Sequence, residues 1–203
     1  MAINLANNNS LASITALPSS VSGGAMTLIS TATASSSANL SFTSGIDDTY
    51  DSYVFKFINI HPATDNVQFL FNMSSDSGSN YNVTKTTTYF LAEHNATGGS
   101  ANLSYQSAKD LAQSTDFQKL MTDLGNAADE NLSGYLTIYN PSSTTFVKNF
   151  MSRTNAQAYF ATNISFDNYI AGYGNTTSAV DAIQFKMSSG NIDSGVIKLY
   201  GIS

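Results

Sequence analysis

Tyr53-Val54-Phe55-Lys56-Phe57-Ile58-Asn59-Ile60, closed by His61-Pro62, is the stretch that decides the class of this fold. Its residues are mostly aromatic or β-branched, the types that fit a pleated, half-buried surface. Alternation puts Tyr53, Phe55 and Phe57 on one face and Val54, Ile58 and Ile60 on the other. Apolar residues on both faces predict a central strand packed on two sides. Pro62 has no N–H to give to a ladder, so the strand ends there.

The same signal repeats outward in both directions. Upstream, residues 26–33 are apolar and β-branched, and residues 38–43 alternate with Leu40 and Phe42 on one face. Downstream, Val67, Phe69, Phe71 and Met73 share a face, and residues 86–91 are β-prone. Ser/Asp/Gly/Asn clusters at 74–80 and 96–100 read as loops. Further strands are expected at 134–139, 145–152, 158–163, 168–174, 180–187 and 195–202. In the first of the last two, Ile183, Phe185 and Met187 share a face; in the second, Val196, Lys198 and Tyr200 oppose Ile197 and Leu199.

One segment breaks the pattern. Phe117, Leu120, Met121 and Leu124 have the i, i+3, i+4, i+7 spacing of a helix face, and Gly125 follows as a stop. A short helix is expected over about 107–124. The first 24 residues, with Asn7-Asn8-Asn9-Ser10, Pro18-Ser19-Ser20 and Gly23-Gly24, read as an extended N-terminal arm. The expectation is an all-β chain: an arm over 1–24, then an antiparallel, jelly-roll-type β-sandwich over 25–203 with one short helix.

Composition narrows function. Charged residues make up 11% of the 203, against roughly 25% in an average domain. Ser, Thr, Asn and Gly fill the gap. Such a surface suits a chain covered by neighbouring copies in an assembly. Net charge is −6, Arg153 is the one arginine, and no basic run exists. Nucleic-acid binding and attachment to anionic membranes are therefore not expected. No apolar run approaches the ~18 residues of a membrane span, and the start has no secretory pattern.

Catalytic chemistry is scarce. There is no cysteine, and the chain carries two histidines, His61 and His94, and two glutamates, Glu93 and Glu130. No nucleophile elbow, zinc-protease motif or phosphate loop occurs, and Gly172-Tyr173-Gly174 reads as a turn. His61 reads as a hydrogen-bonded edge residue and His94 as exposed. Asp47, Asp48 and Asp51 form the densest acidic cluster, and Asp76 to Asn80 is half of a calcium-loop pattern. Turn chemistry accounts for both. The chain is read as having no catalytic residue, no cofactor and no metal site. Tyr81, Tyr105, Tyr169 and Tyr173 lie in or near expected loops, where sugars stack on aromatic rings.

Several of these segments together resemble a family. They are residues 28–31, 46–51, 53–65, 79–82, 110–114, 170–173, 189–192 and 195–202, the last reading Gly-Val-Ile-Lys-Leu-Tyr-Gly-Ile. Over about 25–203 the chain resembles small jelly-roll virion proteins of tailed bacteriophages, especially cyanophages and other marine phages. These are described as tail-fibre-like or virion structural proteins. The resemblance implies a homotrimer that binds other virion proteins and resides in the virion, assembled in the host cytoplasm. The expected function is a non-enzymatic capsid decoration or cement protein, docked by its arm. The alternative is a tail appendage tip that binds a host-surface glycan.

Overall fold

The computed structural model describes residues 26–99, 101–159 and 163–203. The expected arm over 1–24 lies outside them. Among the described residues there are twelve strands and no α-helix. In chain order the strands are β1 (Thr27–Thr33), β2 (Leu40–Phe42), β3 (Ser52–Pro62), β4 (Val67–Ser74), β5 (Lys85–Asn95) and β6 (Ala101–Tyr105). They continue with β7 (Gln118–Leu124), β8 (Leu132–Tyr139), β9 (Lys148–Ala158), β10 (Ile164–Gly174), β11 (Ala182–Met187) and β12 (Ile192–Ile202).

Every pairing is antiparallel. Eight strands run β1-β12-β3-β8-β9-β10-β5-β6, and four run β7-β4-β11-β2. A single pair, Leu124 opposite Ala158, joins the two sets. The result is a nearly closed sandwich. Its core lies where the two sets face each other.

Aromatic rings fill that core. Phe185 on β11 lies 5.2 to 6.4 Å from the rings of Phe42, Phe55, Phe57, Phe69 and Phe71. Phe71 also meets Phe150 edge-on at 5.0 Å. The face shared by Val67, Phe69, Phe71 and Met73 is buried throughout, as the alternation predicts. So are Ile183, Phe185 and Met187.

The expected helix over about 107–124 does not exist. Ser107–Lys109 forms one 3-10 turn, and Gln118–Leu124 is strand β7. The cause is a pair of register shifts against β4. Val67 faces Leu124, Phe69 faces Met121 and Leu70 faces Lys119. Each shift is a bulge, and each bulge flips which residues point inward. Leu120, Met121 and Leu124 are all buried as a result. A twice-bulged strand thus copies the spacing of a helix face.

The opening stretch behaves similarly. β3 is central in its sheet, between β12 and β8. The second face is packed only in part: Val54 is buried, Lys56 and Ile58 are exposed, while Tyr53, Phe55 and Phe57 are all buried on the first. A register shift between Phe57 and Ile60, with Asn59 at φ 50°, brings Ile60 back to the core. Gly195 on β12 sits against this bulge at φ 118°. A Cβ there would lie 2.6 Å from the Asn59 carbonyl oxygen.

Two other expectations differ in detail. β6 falls where no strand was expected, since Ala101-Asn102-Leu103-Ser104-Tyr105 has little apolar signal. The separate strand expected over 158–163 falls in part outside the described residues; of those described, Ala158 closes β9, and Ile164 just after the range opens β10.

Two lysines are fully buried at one end of the sheet. Lys148 and Lys85 both stand opposite Gly174 of β10, one on each side. The Lys148 ammonium donates to the carbonyls of Ser143, Phe146 and Thr176. That of Lys85 donates to Asn72 Oδ1 at 2.5 Å and to the Val83 carbonyl at 2.7 Å. Both act as hubs that tie loops to the sheet. Desolvation pulls the Lys85 amine down to about 7, and the Asp116 charge opposes that only in part.

Candidate functional site

The outer face of the large sheet carries the densest group of exposed aromatic side chains. Its register lines up one row across six neighbouring strands. Lys198 of β12 stands opposite Lys56 of β3, and Lys56 opposite Tyr135 of β8. Tyr135 stands opposite Arg153 of β9, and Arg153 opposite Tyr169 of β10. Tyr169 stands opposite Phe90 of β5, and the row extends to Tyr105 at the end of β6. Strand alternation alone puts these side chains on the solvent side, since their neighbours Leu136, Ser152, Thr154, Ile170, Tyr89 and Leu91 are buried.

The members hold one another. The rings of Phe90 and Tyr169 stack at 4.8 Å with 3° between planes. The Arg153 guanidinium lies 4.9 Å from the Tyr169 ring centre, on the strand flanking β10 on the other side from Phe90. It also forks onto Asp167, Nε to Oδ1 at 3.0 Å and a terminal nitrogen to Oδ2 at 2.7 Å. The Tyr169 hydroxyl donates to the same Oδ2 at 3.1 Å. Asp167 raises the guanidinium above its ordinary value by accepting these bonds, so its charge is permanent. Below the row, where Ala171 replaces a large side chain, lies a hollow of about 240 Å³ walled by Phe90, Tyr135, Met151 and Tyr169.

This geometry decides what the face can do. A sugar stacks on an open ring face. The stacked faces of Tyr169 and Phe90 are already occupied, and Arg153 lies over Tyr169. What remains exposed includes Phe90, the Met151 thioether and the half-exposed Tyr135 ring. Tyr, Phe, Met and Arg are the residues enriched at protein–protein contacts. Rigid rings cost little entropy when a partner packs on them.

The tyrosines expected in or near loops divide accordingly. Tyr105, Tyr169 and Tyr173 are on strands β6 and β10, not in loops, and the first two belong to the row. The Tyr105 hydroxyl donates to Asp110. Tyr81 is in the loop after β4, where its carbonyl accepts from Asn72. Gly172-Tyr173-Gly174 lies within β10 and is not a turn. Phe90, Tyr135 and Met151 were not singled out in the sequence, and Arg153 only as the one arginine. The signal for Arg153 is present as the alternation Asn149, Met151, Arg153, Asn155 on β9, polar or exposed against a buried opposite face.

The remaining candidates are turn and edge residues. His61 Nε2 lies 3.1 Å from the Ala127 carbonyl, and its Nδ1 lies 3.8 Å from Asp193. His94 is exposed on β5 beside Glu93. Glu130 is buried and accepts the Ala127 N–H at 2.9 Å within its own turn. Asp47 accepts from the Thr49 N–H and the Tyr53 hydroxyl. The bonds from Thr49 come first in holding its carboxyl below the usual range. Asp48 and Asp51 are exposed. Asp76 accepts from the Ser74 hydroxyl and from the N–H and amide of Asn80. Among the described residues no three His, Asp or Glu side chains are grouped to hold a metal ion. No helix among them is long and apolar enough to cross a membrane.

Comparison with family models, curated proteins and solved structures returns no match for this chain.

Proposed function

We propose that this chain is a non-enzymatic structural protein of a tailed bacteriophage particle, a head decoration or cement protein that packs through the outer face of its large sheet. The observation that carries this reading is the cross-sheet row from Tyr135 through Arg153 and Tyr169 to Phe90, solvent-facing and already rigid. A surface with 11% charged residues supports the same conclusion. So does the resemblance at 53–65 and 195–202. The sandwich is of jelly-roll kind, the copies associate as homotrimers, and residues 1–24 dock on a neighbouring virion protein. The low supply of His, Glu, Arg and Cys supports a binding role over a catalytic one.

The second reading, a tail appendage tip on a host glycan, rests on Tyr105, exposed by 59% at the open end of the row. The two readings separate on purified particles. Quantitative mass spectrometry of the particle gives the copy number of this chain relative to the major capsid protein. Decoration requires a number that scales with capsid sites. A handful of copies per particle, with adsorption of the isolated protein to host polysaccharide, selects the appendage. Absence from the particle overturns both.

A further inference from the structure

The free edge of β6 is built to accept another β-strand, and its hydrogen-bonding phase says which one. Gln106 donates its N–H to the Tyr89 carbonyl at 2.8 Å, and Tyr105 stands opposite Phe90. Bonded and non-bonded pairs alternate along an antiparallel ladder. Tyr89–Gln106 is therefore a bonded pair, and so are Leu91–Ser104 and Glu93–Asn102. The remaining residues of β6, Ala101, Leu103 and Tyr105, turn their N–H and C=O groups away from β5. Among the described residues none pairs with this edge.

Other edges of the molecule are blunted. β2 is three residues long. β1 carries a register shift between Leu28 and Ser30. Short strands and bulges are the usual protection against edge-to-edge pairing. β6 has neither. Its five residues, Ala-Asn-Leu-Ser-Tyr, hold no charge, no proline and no glycine, and its register with β5 is unbroken. Leu103 and Tyr105 are 69% and 59% exposed.

We infer that β6 pairs with β6 of a second copy of this chain, antiparallel, about a two-fold axis through Leu103. This register sets Leu103 opposite Leu103, and Ala101 opposite Tyr105 on both sides. All three positions are those whose backbone groups point outward, so every pair is a bonded one. The strand is thus complementary to itself in phase, and it places no charge opposite a like charge. The partner's large sheet then continues this one edge to edge. A two-fold contact is isologous and closes by itself. It links two chains, or two trimers, and it requires no particle, so it stands or falls apart from the virion reading.

The chain has no cysteine, which makes the test clean. Leu103→Cys places two sulfurs across the axis in a bonded pair, where Cα atoms lie about 5.5 Å apart, inside the disulfide range. Asn102→Cys points to the opposite sheet face and stands opposite Ser104, so its own copy is beyond about 7 Å, too far to bridge. Mild oxidation of each purified variant at equal concentration is followed on a non-reducing gel. The inference expects Leu103→Cys to convert to cross-linked dimer at least tenfold faster than Asn102→Cys. Leu103→Pro removes an N–H that β5 does not use, so its circular dichroism and thermal midpoint stay close to those of the parent. Its sedimentation must show the two-fold association lost. Equal cross-linking by the two cysteine variants, or unchanged association of the folded proline variant, overturns the inference. Pairing of this edge with a different protein gives the first of these results.

Discussion

Phe185→Ala probes whether the two sets of strands share one core. Phe185 is fully buried and faces five other phenylalanine rings, three of them within 5.8 Å. Truncating a buried phenylalanine costs about 3–5 kcal/mol. Edge-to-face and stacked ring pairs add about 0.5–1.5 kcal/mol each when isolated, and neighbouring pairs do not sum. The expected loss is therefore at the upper end, about 5 kcal/mol. Domains have about 5–15 kcal/mol in all, so a third or more of the stability is at stake. In guanidinium chloride, with a slope of about 4–5 kcal/mol per molar, the midpoint falls by roughly 1 M. The thermal midpoint falls by about 10–20 °C. Phe146→Ala is the control: Phe146 is 69% exposed, and its change stays within about 0.5 kcal/mol. A Phe185→Ala loss below about 2 kcal/mol would mean that β11 does not close over β3 and β4 as described.

Further outcomes follow from other places in the fold. Gly195→Ala forces a side chain against the Asn59 carbonyl and Ile60 Cα at a positive φ, and costs about 2 kcal/mol or more by denaturant titration; a neutral result contradicts the bulge. Lys85 releases its proton at about 7 in the folded chain and near 10.5 when unfolded. Below pH 7 both states hold the proton; from 7 to 10.5 only the unfolded state does, so unfolding free energy rises with pH. The contribution of Lys85 to the rise from pH 7 to 9 is on the order of 2 kcal/mol, and the Lys85→Met profile is flatter by that amount; equal slopes in parent and variant refute it. Arg153→Ala removes an exposed ion pair and changes stability by less than about 1 kcal/mol. It nonetheless lowers incorporation into particles at least tenfold, as loss of a central contact of about 2 kcal/mol requires. Normal incorporation refutes the assigned face.

The fold was legible wherever alternation was unbroken. Val67, Phe69, Phe71 and Met73 named their own face, and β4, β8, β11 and β12 lie where the pattern puts them. It failed at bulges, because one extra residue shifts the phase of all that follow. That is why β7 read as a helix and why Ile60 read as sharing a face with Val54 and Ile58. β6 escaped because an edge strand with both faces open needs no apolar pattern. The site was less legible than the fold. Tyr169 and Tyr105 were singled out as residues in or near loops on which sugars stack. Their row depends on register between strands far apart in sequence, such as Tyr135 with Arg153 and Tyr169 with Phe90. No local spacing encodes that. Arg153 stood out only as the one arginine, and its role emerges once Asp167 and Tyr169 are beside it.

The central claim is that the chain assembles into a phage particle through the face built on β8, β9, β10 and β5. A cryo-electron microscopy map of the particle that carries it tests this most directly. The account predicts density for the sandwich on the head, with Tyr135, Arg153, Tyr169 and Phe90 covered by an adjoining chain. A map in which that face is open to solvent, or in which the chain is missing from the particle, contradicts it.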